Sequence, residues 1–368
     1  GSGGGTFTIA ASGAMTFDPG SAFDDLPTGQ TRSTRVTYTI SDGEGGSDTA
    51  TVTVTVTGEN DPPTPVGTIP DQTNEDADTL VSVDISGNFA DVDGGAVLSY
   101  TAVNLPAGLS LDLNSGVISG TLDRSASQGG TGGVYSVTVT ADDGDATTTQ
   151  TSFTWTVTNP VPDARDNDYG TTENSSTSGN VLTDNDATAG LDSDPDGDPL
   201  AVSEVNGQSA DVGQPVTGSA GGTFTIAASG AMTFDPGSAF DDLPAGQTRS
   251  TSVTYTITDN EGGSDTATAT VTVTGENDPP TPVGTIPDQS NEDADTIVSV
   301  DVSGNFTDVD DPDTLTFSIS GQPAGLTIDP NTGVISGTLD RSASQGGTDG
   351  VYSVTVTADD GDATTTQT

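Results

Sequence analysis

The stretch TATVTVTVT, Thr49–Thr57, decides the class of fold. An extended chain sends successive side chains to opposite faces, so Val52, Val54 and Val56 share one side and Thr51, Thr53, Thr55 and Thr57 the other, as a half-buried strand requires. The same alternation returns in TRVTYTI from Thr34, VYSVTVTAD from Val134, SFTWTVT from Ser152 and TSVTYTIT from Thr251. Between these runs lie clusters such as SDGEGG, DDGD and PAGL, which are turn chemistry. No segment keeps a helical period. Short strands at close spacing without helices predict an all-β fold, a tandem array of β-sandwich domains.

The chain also repeats itself in register. GGTFTIAASGAMTFDPGSAFDDLP runs from Gly4 and again from Gly221, GENDPPTPVGTIPDQ from Gly58 and Gly275, and GVISGTLDRSASQGGT from Gly116 and Gly333, each pair 217 residues apart. That period is too long for a solenoid and fits two domains of about 100 residues each. We read an alternation of two modules. Residues 1–59 are the second half of a first type, 60–159 a complete second type, 160–276 a complete first type, and 277–368 a second type without its last strand. Half a sandwich leaves Phe7, Ile9, Phe17, Val36, Tyr38 and Ile40 without a facing sheet, so the window is expected to be an excerpt of a longer array. Pro62, Pro63 and Pro65, repeated as Pro279, Pro280 and Pro282, make one kind of junction short and stiff.

Composition narrows the function. Acidic residues number 55 against six basic ones, for a formal charge of -49, and all six basic residues are Arg. There is no His and no Cys, which removes disulfides, thiol chemistry, Cys/His zinc sites and nucleophilic triads that need an imidazole base. Clustered basic residues for nucleic-acid binding are missing, and no apolar run of about 20 residues spans a membrane. Of the acids, 47 are Asp and eight are Glu. Short carboxylates in loops suit Ca²⁺, which takes six to eight oxygens at about 2.3–2.6 Å. Adaptation to high salt also enriches acids, so charge alone leaves both explanations standing.

Three clusters carry the metal reading. In SDPDGDP, Asp192, Asp194, Asp196 and Asp198 alternate and Gly197 permits a sharp turn, the spacing of a calcium loop. It is no EF-hand, because Ser203 holds the twelfth place and Glu204 comes one residue late. In DVDDPD, Asp308, Asp310, Asp311 and Asp313 gather after Phe306. The earlier copy keeps Asp91 and Asp93 but has Gly94 and Ala96 at the last two places, so it should hold calcium more weakly or hold one ion fewer. The third cluster is the junction itself: Glu59, Asn60 and Asp61, repeated as Glu276, Asn277 and Asp278, where ligands could tie two domains to one ion.

Beyond these clusters the first module type resembles the VCBS repeats and related bacterial cadherin-like repeats of very large secreted adhesins. The matching stretches are ARDNDY from Ala164, NVLTDND from Asn180, DSDPDGDPL from Asp192, FDPGSAFDDLPAGQT from Phe234 and VTYTITDNEGGSDTATATVTVTGENDPP from Val253. The second type resembles cadherin-like domains of the dystroglycan kind through FTDVDDPDTLTFS from Phe306, PAGLTIDPNTGVISGTLD from Pro323 and VYSVTVTADDGD from Val351. The resemblance implies calcium-binding immunoglobulin/cadherin-like sandwiches that extend an adhesin from the cell. It places ligands on Asp166, Asn167, Glu173, Asp184, Asp186, the Asp192–Asp198 loop and Asp259. In the second type they fall on Glu75, Asp91, Asp93 and Asp143, then on Glu292, Asp308, Asp310 and Asp360. Two departures stand out. Cadherins carry Asp-Arg-Glu where this chain has Asp123-Arg124-Ser125 and Asp340-Arg341-Ser342, and the junction TNPVPDARDND lacks an Asn-Asp-Asn motif, which implies a calcium-poor, more flexible joint.

The expected role is a non-enzymatic structural extender of an extracellular, cell-surface or secreted adhesin or filament. Partners would be further copies of the repeat, lateral or end-to-end association, and surface polysaccharide. Calcium-dependent carbohydrate-binding modules are the alternative, since calcium loops on sandwiches can hold sugar hydroxyls. Ice binding by Thr rows is weaker, because outward Thr on any amphipathic strand looks the same. Paired carboxylates could serve glycoside hydrolysis, but they sit in loops without an aromatic platform, and Trp155, alone of its kind, falls on a strand as a core residue.

Overall fold

The alternation of Thr49–Thr57 becomes an antiparallel hairpin in which Thr31–Ser41 pairs with Ser47–Thr57 in the register Thr34↔Val54, Val36↔Val52 and Thr37↔Thr51. A computed structural model describes all residues except 146–147, 185–189 and 311–313. Asp186 and Asp313 lie outside the described residues. Among those described, strands and short 3-10 segments are the only regular elements, and no helix is long and apolar enough to cross a membrane. The chain divides into two compact units, Gly1–Pro160 with Asp196–Asp198, and Val161–Pro195 with Pro199–Thr368.

In the first unit a second hairpin, Thr6–Ile9 with Met15–Asp18, precedes the long one. A four-stranded sheet follows in the order Gln72–Glu75, Thr148–Thr158, Val134–Asp142 and Ser99–Val103. Its first pairing is parallel and the others antiparallel. A three-stranded sheet of Leu109–Leu111, Val117–Thr121 and Thr79–Asp84 completes a sandwich. Ile85, Ile118, Val137, Val139 and Trp155 fill its core and are fully buried. Trp155 is thus a core residue, its indole N–H donating to Asn74 Oδ1 at 3.1 Å.

The second unit builds the same kind of layers. Asn167–Thr172, Ser264–Thr274, Thr248–Thr258 and Ala201–Val205 form one sheet, again with a parallel first pair. Thr177–Asn180, Ala231–Asp235, Thr223–Ile226 and Val216–Thr217 form the other. Three rings anchor the core between them, Phe224 against Phe234 at 4.7 Å and Phe234 edge-on to Phe240 at 6.3 Å. Further along, Val300–Asp301, Val334–Gly337 and Leu326–Ile328 make one small sheet. Thr316–Ser320, Thr355–Asp359 and Thr364–Gln367 make another, and Val302, Phe306, Phe317 and Val356 lie between them.

The repeated hairpins show what the strands added to each sheet supply. Ile226, Met232 and Ile257 are 1%, 1% and 0% exposed, whereas their equivalents Ile9, Met15 and Ile40 are 37%, 39% and 61% exposed. Phe7, Phe17, Val36 and Tyr38 are half-buried where Phe224, Phe234, Val253 and Tyr255 are buried. Nearly identical local sequence thus acquires a closed core only where Asn167–Thr172 and Thr177–Asn180 extend the two sheets beside Ser264–Thr274 and Ala231–Asp235. On the outer faces the Thr residues pair across strands, as in Thr256 with Thr266 at 3.1 Å and Ser250 with Thr272 at 3.0 Å.

Candidate metal centres

The parallel pairing of Asn167–Thr172 with Ser264–Thr274 ends at Thr172↔Thr274 and delivers Glu173 beside Glu276. The Glu276 N–H donates to Glu173 Oε1 at 2.7 Å, and the Glu173 N–H to the Thr274 carbonyl at 3.0 Å. Gly275 makes this crossing feasible. Its N–H reaches Gln247 O at 2.8 Å, and a Cβ there would stand 2.2 Å from the Leu243 carbonyl oxygen. Three residues on, the Asp278 N–H donates to Asp310 Oδ2 at 2.9 Å, the Asp310 N–H to Asp308 Oδ1 at 3.1 Å, and Asn277 Nδ2 to Asp360 Oδ2 at 3.3 Å. Backbone amides therefore hold the carboxylates of three loops in one neighbourhood.

Those carboxylates are deeply placed and mutually repulsive. Glu173 is 2% exposed and Asp310 3% exposed, and Glu173 Oε2 and Asp310 Oδ1 have no hydrogen-bond partner. Burial pushes the Asp278 carboxyl up, with Asp310, Asp241, Asp308 and Glu276 adding to it. Glu173 is also pushed up by burial, against the lowering effect of the Glu276 amide, with Asp278, Asp310 and Asp241 reinforcing the rise. An orphaned buried carboxylate oxygen is costly, and a cation at that point would relieve both the missing partner and the repulsion.

The first unit repeats the arrangement 217 residues earlier. The Asp61 N–H donates to Asp93 Oδ2 at 3.0 Å, the Asp93 N–H to Asp91 Oδ1 at 2.8 Å, and Asn60 Nδ2 to Asp143 Oδ2 at 3.0 Å. Asp93 Oδ1 and Asp91 Oδ2 are buried without a partner. Asp61 is pushed up by burial and then by Asp93, Asp24 and Asp91. At Gly94 the two copies diverge. Its N–H donates to Asp25 O at 3.0 Å, and its equivalent Asp311 lies outside the described residues.

The remaining predicted residues are distributed differently. Asn167 and Asp192 belong to a buried knot around the Tyr255 hydroxyl, which donates to Arg165 O at 2.6 Å and accepts from Asn167 Nδ2 at 2.9 Å. Asp192 Oδ1 takes the Arg165 N–H at 2.7 Å, and burial raises its carboxyl. Asp166 caps the Thr268 N–H at 2.8 Å, and Asp184 takes the Asn180 N–H at 2.6 Å. Asp259 Oδ1 gathers the N–H groups of Glu261, Gly262 and Gly263 into a turn. Asp196 is buried while Asp194 and Asp198 are half-buried, and the loop is divided, Asp196–Asp198 counting with the first unit. Glu59, Glu276, Glu75 and Glu292 are exposed.

Sequence reasoning missed three acids. Asp76 is 4% exposed, with Oδ1 on the Ser127 N–H at 2.8 Å and Oδ2 unpartnered, while its neighbour Glu75 faces out. Asp24 and Asp241 act on the two junction clusters, and the repeated FDDLP was their only signal. Their neighbours Asp25 and Asp242 are occupied by the forks of Arg32 and Arg249, each of which also lies over a Phe ring, Phe23 and Phe240. Among the described residues no three carboxylates form a closed metal-ligand group. Each centre is an open set of hard oxygens held by amides. Such donors fit Ca²⁺ and lack the nitrogen and sulfur that zinc prefers.

Comparison with known proteins accords with these layers. Residues 62–158 and 279–368, together half of the chain, match the family described as "Putative Ig domain", and the chain belongs to that family. Residues 159–275 match the bacterial cadherin-like domain, and residues 1–55 a bacterial Ig domain. No curated protein matches the chain. Among solved structures it is similar to Drosophila N-cadherin EC1-4, at 17% identity over 98% of this chain and 88% of that one, TM-score 0.38. It is similar also to mouse cadherin-23 EC22-24, at 18% identity over 84% and 97%, TM-score 0.36. A third is protocadherin gamma B2 cadherin domains 1-5, at 14% identity over 99% and 70%, TM-score 0.37.

Proposed function

We propose that this member of the Ig-domain family is an extracellular, non-enzymatic extender, a run of sandwich modules divided near residues 59, 159 and 276, whose Glu-Asn-Asp-Pro-Pro junctions are stiffened by calcium. The first module type is read as VCBS-like and the second as dystroglycan-type cadherin-like, serving an adhesin or filament. The supporting observation is the doubled cluster of orphaned oxygens, Glu173 Oε2 and Asp310 Oδ1 beside Asp278, and Asp93 Oδ1 and Asp91 Oδ2 beside Asp61.

The chain's own part in the mechanism is positional. The Glu276 and Asp278 amides pin one oxygen of Glu173 and of Asp310, which leaves the second oxygen of each as a donor. Asp308, Asp360 and Asn277 add further oxygens from three loops, and Asp24 or Asp241 closes the set from the FDDLP turn. Calcium, when bound, supplies the positive charge that this neighbourhood lacks. Because the donors belong to residues on both sides of the Pro pair, their common occupation restrains the hinge. Without it, a formal charge of -49 opposes compaction.

Small-angle scattering of the chain, in calcium and in chelator, tests the reading. Chelation should change the maximum dimension and broaden the distance distribution; identical curves would sink the stiffening mechanism. Isothermal titration of the same samples should show calcium uptake that falls when Asp93 and Asp310 are both replaced by Asn.

A further inference from the structure

Two of the six arginines, Arg32 and Arg249, make the same contacts at equivalent places in the repeat. Arg249 Nη1 and Nη2 fork the two carboxylate oxygens of Asp242 at 2.9 and 2.8 Å, Nη1 also donates to the Ala239 carbonyl at 3.3 Å, and the guanidinium stands 5.7 Å from the centre of the Phe240 ring. Arg32 does the same to Asp25 with two bonds of 2.8 Å, to Ala22 O at 3.2 Å and to Phe23 at 5.8 Å. Each arginine therefore holds residues on both sides of one acid, Asp241 or Asp24. The two forks agree although Ile257 is buried and its equivalent Ile40 exposed, so the clamp is a local construction.

What the clamp holds bears directly on the junction. The Leu243 N–H donates to Phe240 O at 2.9 Å, the Gly246 N–H to Gly275 O at 2.9 Å, and the Gly275 N–H to Gln247 O at 2.8 Å. The turn is thus sewn to the residue before Glu276, whose amide holds Glu173. Asp241 raises the carboxyls of Asp278 and Glu173, so its charge stands beside the cluster. Electrostatics alone gives Arg249 little reason to be there. Its side chain and that of Asp242 are 37% and 54% exposed, and a pair so open to water adds little stability. A guanidinium near a cation site also repels the cation. Geometry is what it supplies.

We propose that Arg249 and Arg32 are positioning residues for the junction cation sites, an inference that rests on the calcium reading above. The fork engages Asp242 and so makes Asp241 the member of the acid pair that is presented to the cation. By holding the turn against Gly275 it also keeps the Glu276 amide on Glu173 and the second oxygen of Glu173 turned to the site. Arg32 does the same for Asp24 and Asp61. Lysine would not replace either residue, because a point charge cannot meet two carboxylate oxygens, a carbonyl and a ring face at once.

Hydrogen exchange of the full chain across a range of free calcium concentrations tests this, with residues 239–247 and 275–280 reporting the second junction and 22–30 and 58–63 the first. Arg249→Met should raise the calcium midpoint of the second junction by about fivefold or more and leave the first unchanged. Arg249→Lys, which keeps the charge, should raise it as well. Asp242→Ala should also raise it, and Arg249→Met with Asp242→Ala should exceed the larger single effect by no more than about twofold, since both remove one clamp. In chelator the core strands Thr223–Ile226 and Ala231–Asp235 should keep their wild-type protection. A lower midpoint for Arg249→Met would show a charge effect, an unchanged one no effect, additive single effects two independent residues, and lost core protection a role in stability. Each of these would overturn the inference and leave the calcium reading standing. Wild-type exchange indifferent to calcium would overturn both.

Discussion

Replacing Glu173 by Gln separates the cost of the junction's charge from its use. The carboxylate is 2% exposed, with Oε1 on the Glu276 amide at 2.7 Å and Oε2 without a partner. A buried polar atom left unsatisfied costs about 1–3 kcal/mol, and more when charged. Gln keeps the shape and the acceptor on the Glu276 amide while removing the charge that faces Asp278, Asp310 and Asp241. In chelator, Glu173→Gln should therefore raise the local opening free energy by about 1–2 kcal/mol. In calcium the balance changes. Losing one anionic donor weakens binding by about tenfold, or about 1.4 kcal/mol. At a concentration one hundred times the wild-type Kd, the stabilisation conferred by calcium should fall from about 2.7 to about 1.4 kcal/mol. Native-state hydrogen exchange of peptides from Thr248–Thr258 and Ser264–Thr274, in calcium and in chelator, reads both quantities. A lower opening free energy in chelator, or an unchanged increment with calcium, would refute the reasoning.

Two further outcomes are expected. Ile257→Ala should cost about 2–5 kcal/mol because the side chain is fully buried, while Ile40→Ala, at 61% exposure in the same sequence, should cost less than about 1 kcal/mol; hydrogen exchange of the two hairpins measures both, and equal costs would contradict the difference in packing. In chelator the second junction should lose stability as pH rises. The Glu173 and Asp278 carboxyls have folded values raised above their ordinary 4.5 and 3.8, so their contribution is fully present below those values and disappears as pH climbs through the raised ones. The pH slope of wild type minus that of Glu173→Gln isolates the Glu173 share, and a difference of opposite sign would show that burial does not govern it.

The fold was legible because period-two alternation is a direct statement about faces. Val52, Val54 and Val56 do share one side, and Trp155 lies in the core where its strand parity puts it. The junction residues were legible in part, since Asp61, Asp93, Asp278 and Asp310 come together as Asp-rich loops around a Pro pair should. The choice between neighbours was not. Of Glu75 and Asp76 the resemblance selected the first, yet the strand ends at Glu75 with its side chain outward, and a shift of one residue exchanges faces. Of Asp24 and Asp25 only the arginine fork shows which is free to act on the junction. Asp166, Asp184 and Asp259 each give one oxygen to backbone amides, as Glu173 and Asp310 do, and sequence alone does not show which oxygen is taken. Acid content reports charge, whereas ligand capacity depends on which oxygens the turns have already used.

The nearly identical segments Gln72–Glu75 and Gln289–Glu292 carry the point further. Local propensity cannot distinguish them, and only the first is a strand. The difference is the presence of Trp155–Thr158, which pairs with the first segment and whose indole N–H donates to Asn74. In a short strand built largely of Gln, Asn and Glu, intrinsic β-preference is weak, and pairing supplies most of what holds the extended form. The same dependence appears at Ile40 and Ile257, where nearly the same sequence is surface or core according to whether further strands extend its sheets. Secondary structure in this chain is therefore conditional on neighbours: nearly the same residues are strand or coil, core or surface, according to which strands pair beside them.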